Sequence, residues 1–459
     1  MAQLHEECGV FGVYGLPKAA ETCALALYAL QHRGQEGCGM AVQGRDGLRH
    51  HKALGQVKDV FTQPALDALP GELAVAHVRY STTGGNELRN TQPMLANTRY
   101  GTLALVHNGN LSNAGALRAE LEEQGLIFQA GSDTEVIAYL MAGQLRRTGG
   151  DLARAARACM ERMEGSYSLV MLLGREMLAL RDPKGMRPLV RGRVGGCPVF
   201  ASESCAIASI GGQVEADVAP GELVRVREGR VEVLPPKAKD PGALCIFEHI
   251  YFARPDSTLD GQSVYQARLL AGELLAKTHP VQADLVVGVP DSGLIAAIGY
   301  ANHAGIPYGE GLVKNRYIGR TFIEPTQALR SAKVTLKLSP MRSVVAGKRL
   351  VLVDDSIVRG TTTGQIVSML KKAGAREVHV RISSPPFLYP CYFGTDVASR
   401  DQLASVRFTH EQLTAHIGAD SLGFLPLEAL ASIVPNSRLG FCAGCFQGQY
   451  PYPAPEDPR

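Results

Sequence analysis

Apolar residues follow two rhythms along this chain. From Cys8 to about Pro235 they form short runs broken by glycine, such as Cys8-Gly-Val-Phe-Gly-Val-Tyr14, Leu73-Ala-Val-Ala-His-Val-Arg79 and Thr102-Leu-Ala-Leu-Val-His107, which predict strands. Two stretches, Asp133–Arg147 and Leu152–Met163, place apolar residues at helical spacing instead. Runs of strands with grouped helices predict a layered α+β domain over residues 8–238. The stretch Leu234-Pro-Pro-Lys-Ala-Lys-Asp-Pro-Gly242 breaks the composition and reads as a linker. Beyond it the order becomes strand, loop, helix, repeated. Leu285–Val289 runs into Pro290-Asp-Ser-Gly293 and an apolar helix. Arg349–Val353 runs into Asp354–Gly360 and a helix over Thr361–Ala373 that ends at Gly374, and Val378–Ile382 follows as a strand. This alternation predicts an α/β domain over residues 239–430. Its parallel sheet would carry helices on both faces and a ligand site at the carboxyl ends of its strands. Residues 431–459 remain as a C-terminal segment whose proline-rich end, from Pro451, reads as a loose tail. The two halves share no internal repeat.

Composition narrows the function classes. A chain of 459 residues with 45% hydrophobic content is long enough for two or more packed domains. A net charge of +3 gives little support to a general nucleic-acid or membrane-surface role. No apolar run reaches the ~18 residues of a membrane span. Residues 1–7 are too short and too acidic for a signal peptide, so a cytoplasmic location is expected. Ten cysteines in such a chain are expected to be reduced, and any that cluster to bind metal or act in catalysis.

Candidate chemistry in the second half centres on Val351-Leu-Val-Asp354-Asp355-Ser356-Ile-Val-Arg359-Gly360-Thr361-Thr362-Thr363. An apolar strand delivers two adjacent acids to its carboxyl end, and a short loop with a glycine and three hydroxyls opens a helix. Backbone N–H groups at a helix N-terminus, with threonine hydroxyls beside them, form an anion cradle. Two carboxylates in front of it would repel a bare phosphate, but suit sugar hydroxyls or a hard cation such as Mg²⁺ with the phosphate just beyond. The bland alternative is an acidic helix cap. The string resembles the ribose-phosphate motif of type I phosphoribosyltransferases, and Gly288-Val-Pro-Asp-Ser292-Gly293 sits where their pyrophosphate loop should be. Between these loops, Lys314 to Arg342 holds seven basic residues and one acid, Glu324. This reads either as a solvated loop or as a mobile cover that neutralises departing pyrophosphate. The resemblance assigns phosphoribosyl pyrophosphate to Asp354, Asp355, Ser356, Arg359, Gly360, Thr361, Thr362, Lys314 and Arg316. It assigns one Mg²⁺ per subunit to Ser292, Asp354 and Asp355.

In the first half, Cys8-Gly-Val-Phe-Gly is followed by Leu30-Gln-His-Arg33-Gly34-Gln-Glu-Gly37 and His77-Val-Arg79-Tyr-Ser-Thr82-Thr-Gly84. Then come His107-Asn108-Gly109-Asn-Leu-Ser112-Asn113 and Gly131-Ser-Asp133-Thr-Glu135. In this order they resemble the N-terminal-nucleophile glutaminase domain of the purine amidotransferases, over about residues 8–235. The resemblance implies αββα layers and a Cys8 thiol that attacks glutamine with its own α-amine as base. An α-amine with a pKa near ~7.7–8.0 and a thiol near ~8.5 can exchange a proton at neutral pH. It also implies oxyanion donors at the Asn108 side chain and the Gly109 backbone. Glutamine's carboxylate would sit on Arg79 with Thr82 nearby, and its ammonium on Asp133, while Arg33 would order the nucleophile's loop. A working α-amine on Cys8 requires removal of residues 1–7, so a self-cleaved propeptide is implied.

Cys442-Ala-Gly-Cys445 has the spacing of half a zinc site. With Cys245 and Cys391 it makes four thiolates, which suit either zinc or an iron–sulfur cluster. Only resemblance selects the second: the four positions match the [4Fe–4S] ligands, one cluster per subunit, of the propeptide-bearing branch of the amidophosphoribosyltransferase family. The other five cysteines read as core or incidental. Together the two halves resemble that family and imply its reaction, in which ammonia from glutamine passes to phosphoribosyl pyrophosphate at the first committed step of purine synthesis. Feedback inhibition by purine nucleotides and a homotetramer are further implications. A sugar-phosphate amidotransferase would have no use for Asp354-Asp355. A regulator that binds phosphoribosyl pyrophosphate could dispense with the glutaminase motifs.

Overall fold

The computed structural model describes residues 8–80, 85–315, 338–395, 397 and 399–454. The first domain stacks two antiparallel sheets between helices. One sheet runs in the order Gln213–Asp217, Val190–Val194, Cys197–Ala201, Gly9–Tyr14, Leu73–Arg79, Gly37–Gly44, Gly47–Leu54. The other runs Arg230–Leu234, Leu223–Arg227, Glu176–Arg181, Gly165–Leu173, Gly101–Leu111, Met94–Thr98. Successive side chains on a strand point to opposite faces, and here each face has its own core. Leu103 and Leu105 pack under the helices Asp133–Arg147 and Leu152–Met160, while Ala104 and Val106 face the other sheet. Leu73 and Val75 meet them there, and Ala74, Ala76 and Val78 turn toward helix Ala19–Ala29. The layers are therefore helix, sheet, sheet, helix, the αββα order expected. Gly12 lies where the sheets come closest: a Cβ there would sit 2.7 Å from Val170 Cγ1.

In the second domain four parallel strands lie in the order Leu285–Gly288, Arg349–Asp354, Glu377–Ile382, Ser421–Phe424. Apolar clusters cover both faces, so these strands read as continuous apolar runs. Helices Val264–Thr278 and Gly293–Ala304 pack on each other, and the second also packs on the strand Leu285–Gly288. Helix Thr361–Lys372 starts at Gly360, whose φ of 80° is left-handed. Gly374, just past its end, is also left-handed at 100°. The ribbon Leu312–Lys314 with Leu338–Pro340 leads into the basic stretch, most of which, including Arg316, lies outside the described residues. So do residues 1–7 and Thr82.

Two local expectations change. The strand expected over 102–107 runs on to Leu111, through Asn108 and Gly109. The proline-rich end is packed at its start: the Tyr452 ring lies 6.1 Å from Phe393, and nearby Tyr450 donates its hydroxyl to the Pro390 carbonyl at 2.7 Å.

Buried ion pairs join the domains. Arg181 donates two hydrogen bonds to Asp260, at 2.9 and 2.8 Å. Arg33 grips Glu248 at 2.8 and 2.9 Å and Glu203 at 2.7 Å, with all three side chains fully buried.

Candidate active sites

At the first site, strand Gly9–Tyr14 pairs with Leu73–Arg79 in a register that sets Gly9 opposite Val78, so Cys8 and Arg79 come to the same end of the sheet. Cys8 Sγ donates to the Tyr80 carbonyl at 3.5 Å, and Arg33 Nε donates to the Cys8 carbonyl at 3.0 Å. Gly34 is pressed on Arg79, where a Cβ would fall 2.6 Å from its carbonyl carbon. Arg79 is buried, and burial pulls its guanidinium pKa down, while Cys8, Glu36 and Asp133 raise it. Asp133 opens its helix beneath Ser132, whose hydroxyl accepts from Thr134 N at 3.2 Å. Its Oδ2 accepts from Leu111 N at 3.0 Å. His77, two residues before Arg79, reaches the His107 carbonyl at 3.1 Å and ties the two sheets together beside Asn108.

Asn108 has neither side-chain polar atom partnered: its amide is buried, and neither Oδ1 nor Nδ2 has a hydrogen-bond partner among the described residues. Buried polar groups are nearly always paired, and this amide's donor and acceptor are both open to a ligand. Gly109 follows with φ +143°, where a Cβ would collide with the Ser166 carbonyl oxygen at 2.1 Å. Only glycine fits there.

At the second site, Val289 N donates to the Val353 carbonyl at 2.9 Å, which lays the loop Val289–Gly293 beside the end of the strand carrying Asp354. The peptide bond Pro290–Asp291 is cis. Gly293 is also obligatory, since a Cβ would lie 2.4 Å from the Val353 oxygen. Ser292 and Ser356 both donate to the Asp355 carboxylate, and Asp355 N donates to Asp354 Oδ1 at 2.9 Å. Burial, then Asp355, push the Asp354 carboxyl well above its usual range. Burial raises Asp355 too, against the two serine hydroxyls and the charge of Arg268. Two buried acids this short of compensating charge suit a cation or sugar hydroxyls. Gly360 opens the helix, Thr361 and Thr362 begin it, Arg359 donates to Gln402, and Lys314 donates to Asp291.

The four remaining cysteines come to one place. Parallel pairing sets Cys245 opposite Cys442, and Cys245, Cys391, Cys442 and Cys445 line one cavity with Arg187, Phe247, Phe387, Phe393 and Tyr450. Burial first, then the other three thiols, push Cys445 well above a normal thiol, and burial pushes Cys442 up to about 11. Among the described residues no three or more His, Cys, Asp or Glu side chains are arranged to hold a metal ion.

Sequence reasoning missed the groups between the sites: Glu203, Glu248, Arg187 and Arg268. Arg268 is buried and donates to the carbonyls of His249, Tyr251 and Ala253. A lone acid inside the apolar run Leu244–Phe252 was the signal available for Glu248, since an acid is rarely buried unless paired.

Fold and sites define a class: a glutamine amidotransferase joined to a phosphoribosyltransferase. The glutamine amidotransferase domain family matches residues 77–209 and the phosphoribosyl transferase domain family residues 261–383. The chloroplastic amidophosphoribosyltransferase of Glycine max is 49% identical over 97% of this chain and 78% of its own. The amidophosphoribosyltransferase of Archaeoglobus fulgidus is 46% identical over 98% of both. The solved glutamine phosphoribosylpyrophosphate amidotransferase of B. subtilis, complexed with ADP and GMP, superposes with a TM-score of 0.91 at 44% identity, covering 98% of both chains. The chain belongs to the amidophosphoribosyltransferase family.

Proposed function

We propose that this enzyme converts glutamine, water and phosphoribosyl pyrophosphate into 5-phosphoribosylamine, glutamate and pyrophosphate, at the start of purine synthesis. The Cys8 thiol adds to the glutamine side-chain carbonyl, and its proton passes by way of the Cys8 α-amine to the leaving ammonia. Asn108 Nδ2 and the Gly109 N–H hold the oxyanion that forms. Arg79 and Asp133 hold the α-carboxylate and α-ammonium, and water then releases glutamate from the thioester. At the second site ammonia attacks the ribose C1 and pyrophosphate leaves, with Asp354 and Asp355 oriented toward the ribose. Mg²⁺, where bound at Ser292, Asp354 and Asp355, would neutralise the pyrophosphate charge. The observation that carries this reading is the buried, partnerless amide of Asn108.

The α-amine can act only once the Glu7–Cys8 bond is cut, so removal of residues 1–7 belongs to the proposal. So does a [4Fe–4S] cluster on Cys245, Cys391, Cys442 and Cys445. Four thiols lining one cavity suit either zinc or a cluster, and the match to the family's [4Fe–4S] positions favours the cluster. Its part would be structural, joining the start and end of the second domain. Inhibition by purine nucleotides draws on the ADP and GMP of the B. subtilis complex. A cytoplasmic homotetramer rests on family membership alone; no helix of the described residues is long and apolar enough to cross a membrane.

The deciding experiment measures phosphoribosylamine from glutamine and from high ammonia. Cys8→Ala, started at that position, should lose only the glutamine reaction. Asp354→Asn with Asp355→Asn should lose both. Ammonia-dependent synthesis that survives the double substitution would overturn the second-site assignment.

A further inference from the structure

The loop that carries Cys391 reaches into the glutaminase half beside the oxyanion donors. Asn110, two positions past Asn108, donates through Nδ2 to the Tyr392 carbonyl at 2.8 Å. Its backbone N–H donates to Ser166 Oγ at 3.1 Å, and that hydroxyl donates onward to the Phe393 carbonyl at 2.7 Å. Arg187 donates to the same carbonyl. Asn110, Ser166 and Arg187 are all buried. Gly394 completes the contact: it has φ +109°, and a Cβ there would lie 2.9 Å from Arg187 Nη2 and 3.5 Å from the Gly109 carbonyl carbon. Bare backbone of the loop therefore packs on bare backbone of the oxyanion strand. The loop's other side faces the cysteine cavity, which Cys391 and Phe393 both line.

We infer that residues 391–394 position the oxyanion hole through Asn110 and Ser166, so that glutamine hydrolysis, but not use of free ammonia, depends on how this loop is seated. The inference rests on the glutaminase reading above. Oxyanion donors act only within about 2.7–3.1 Å of the developing charge, and a shift of about 1 Å at a reacting centre costs about 10²-fold. Gly109 has no side chain with which to hold its own place. Its backbone is fixed by its neighbours, and two of the bonds that fix them run to the loop.

The test uses Asn110→Ala and the isosteric Asn110→Asp, which cannot donate, in the full chain. Glutamine hydrolysis should lose about 10- to 100-fold in kcat, with KM and ammonia-dependent synthesis within about two-fold of the parent. Alkylation of Cys8 by iodoacetamide, in which the thiolate displaces iodide and no oxyanion forms, should keep its rate. Unchanged kcat, a loss confined to KM, equal loss of both syntheses, or alkylation slowed in step with kcat would each overturn the inference. A parent enzyme that hydrolyses no glutamine would instead overturn the proposed function.

Discussion

Asn108→Ala should separate catalysis from stability. In the resting enzyme the Asn108 amide makes no hydrogen bond to the described residues although it is buried. A buried polar group without a partner costs about 1–3 kcal/mol, and alanine removes that cost. The side chain's lost packing works against this gain, so the net change in folding stability should lie within about 1 kcal/mol. The transition state is different, because there the amide finds its partner. Losing one oxyanion donor costs about 10²–10³ in kcat, or ~2.7–4 kcal/mol. Glutamate release at saturating phosphoribosyl pyrophosphate gives kcat and KM, and the urea midpoint of the same preparation gives stability. We expect kcat to collapse, KM to move little and the midpoint to stay or rise. A midpoint lowered by the equivalent of about 2 kcal/mol with kcat preserved would mean that Asn108 is a structural amide, and the reasoning from its missing partners would fail.

Three other outcomes follow from buried groups. Glu248→Gln keeps the shape of the side chain but strips one charge from the set Arg33, Arg187, Glu203 and Glu248; it should destabilise by about 3–5 kcal/mol, read from denaturant midpoints, because a buried guanidinium loses compensation. His249 is buried with neither ring nitrogen partnered among the described residues, and burial pulls its pKa down to about 4 against the pull of Glu248. The unfolded chain then takes up a proton near pH 6.5 that the folded chain refuses, so stability is lost as pH falls from about 6.5 toward 4, and His249→Leu should flatten the change from pH 7 to 5 by about 2 kcal/mol. Protein purified without oxygen should carry about four irons and four sulfides per chain, lost in Cys442→Ser and kept in Cys159→Ser; one zinc per chain would refute the cluster.

What was legible in the sequence was whatever chemistry lies within one short string. Val351–Thr363 holds strand, acids, loop glycine and helix start in consecutive residues, and the structure builds them in that order. The layered and parallel architectures were legible for the same reason, since a strand's faces and a helix's stripe are written within a few residues. The expected strand stops at His107 because the polar residues and glycine that follow look like a loop. The ladder continues there because Asn108, Gly109 and Asn110 pair with Ser168, Tyr167 and Ser166, which are buried too. Contacts across the domain boundary were not legible at all. Arg33 and Glu248 are 215 residues apart, and Asn110 and Tyr392 are 282 apart.

Those distant contacts share a property that bears on how a two-site enzyme is built. A buried apolar interface would join the halves at least as stably as ion pairs do, since ion pairs lose much of their attraction to desolvation. An apolar face can slide, however, whereas a guanidinium fork and a backbone carbonyl fix a register. Beside Arg181–Asp260, two sets of polar contacts at this boundary end on the glutaminase machinery itself. Arg33 holds the Cys8 carbonyl with Nε and the second domain's Glu248 with its other two nitrogens. Asn110 and Ser166 flank Gly109 across the strand pair and hold the carbonyls beside Cys391. Docking the domains and placing the nucleophile and oxyanion donors therefore share bonds. A shift of the second domain against the first must move the Cys8 carbonyl or the Gly109 backbone, and this gives events at the second site a physical route to the rate of glutamine hydrolysis.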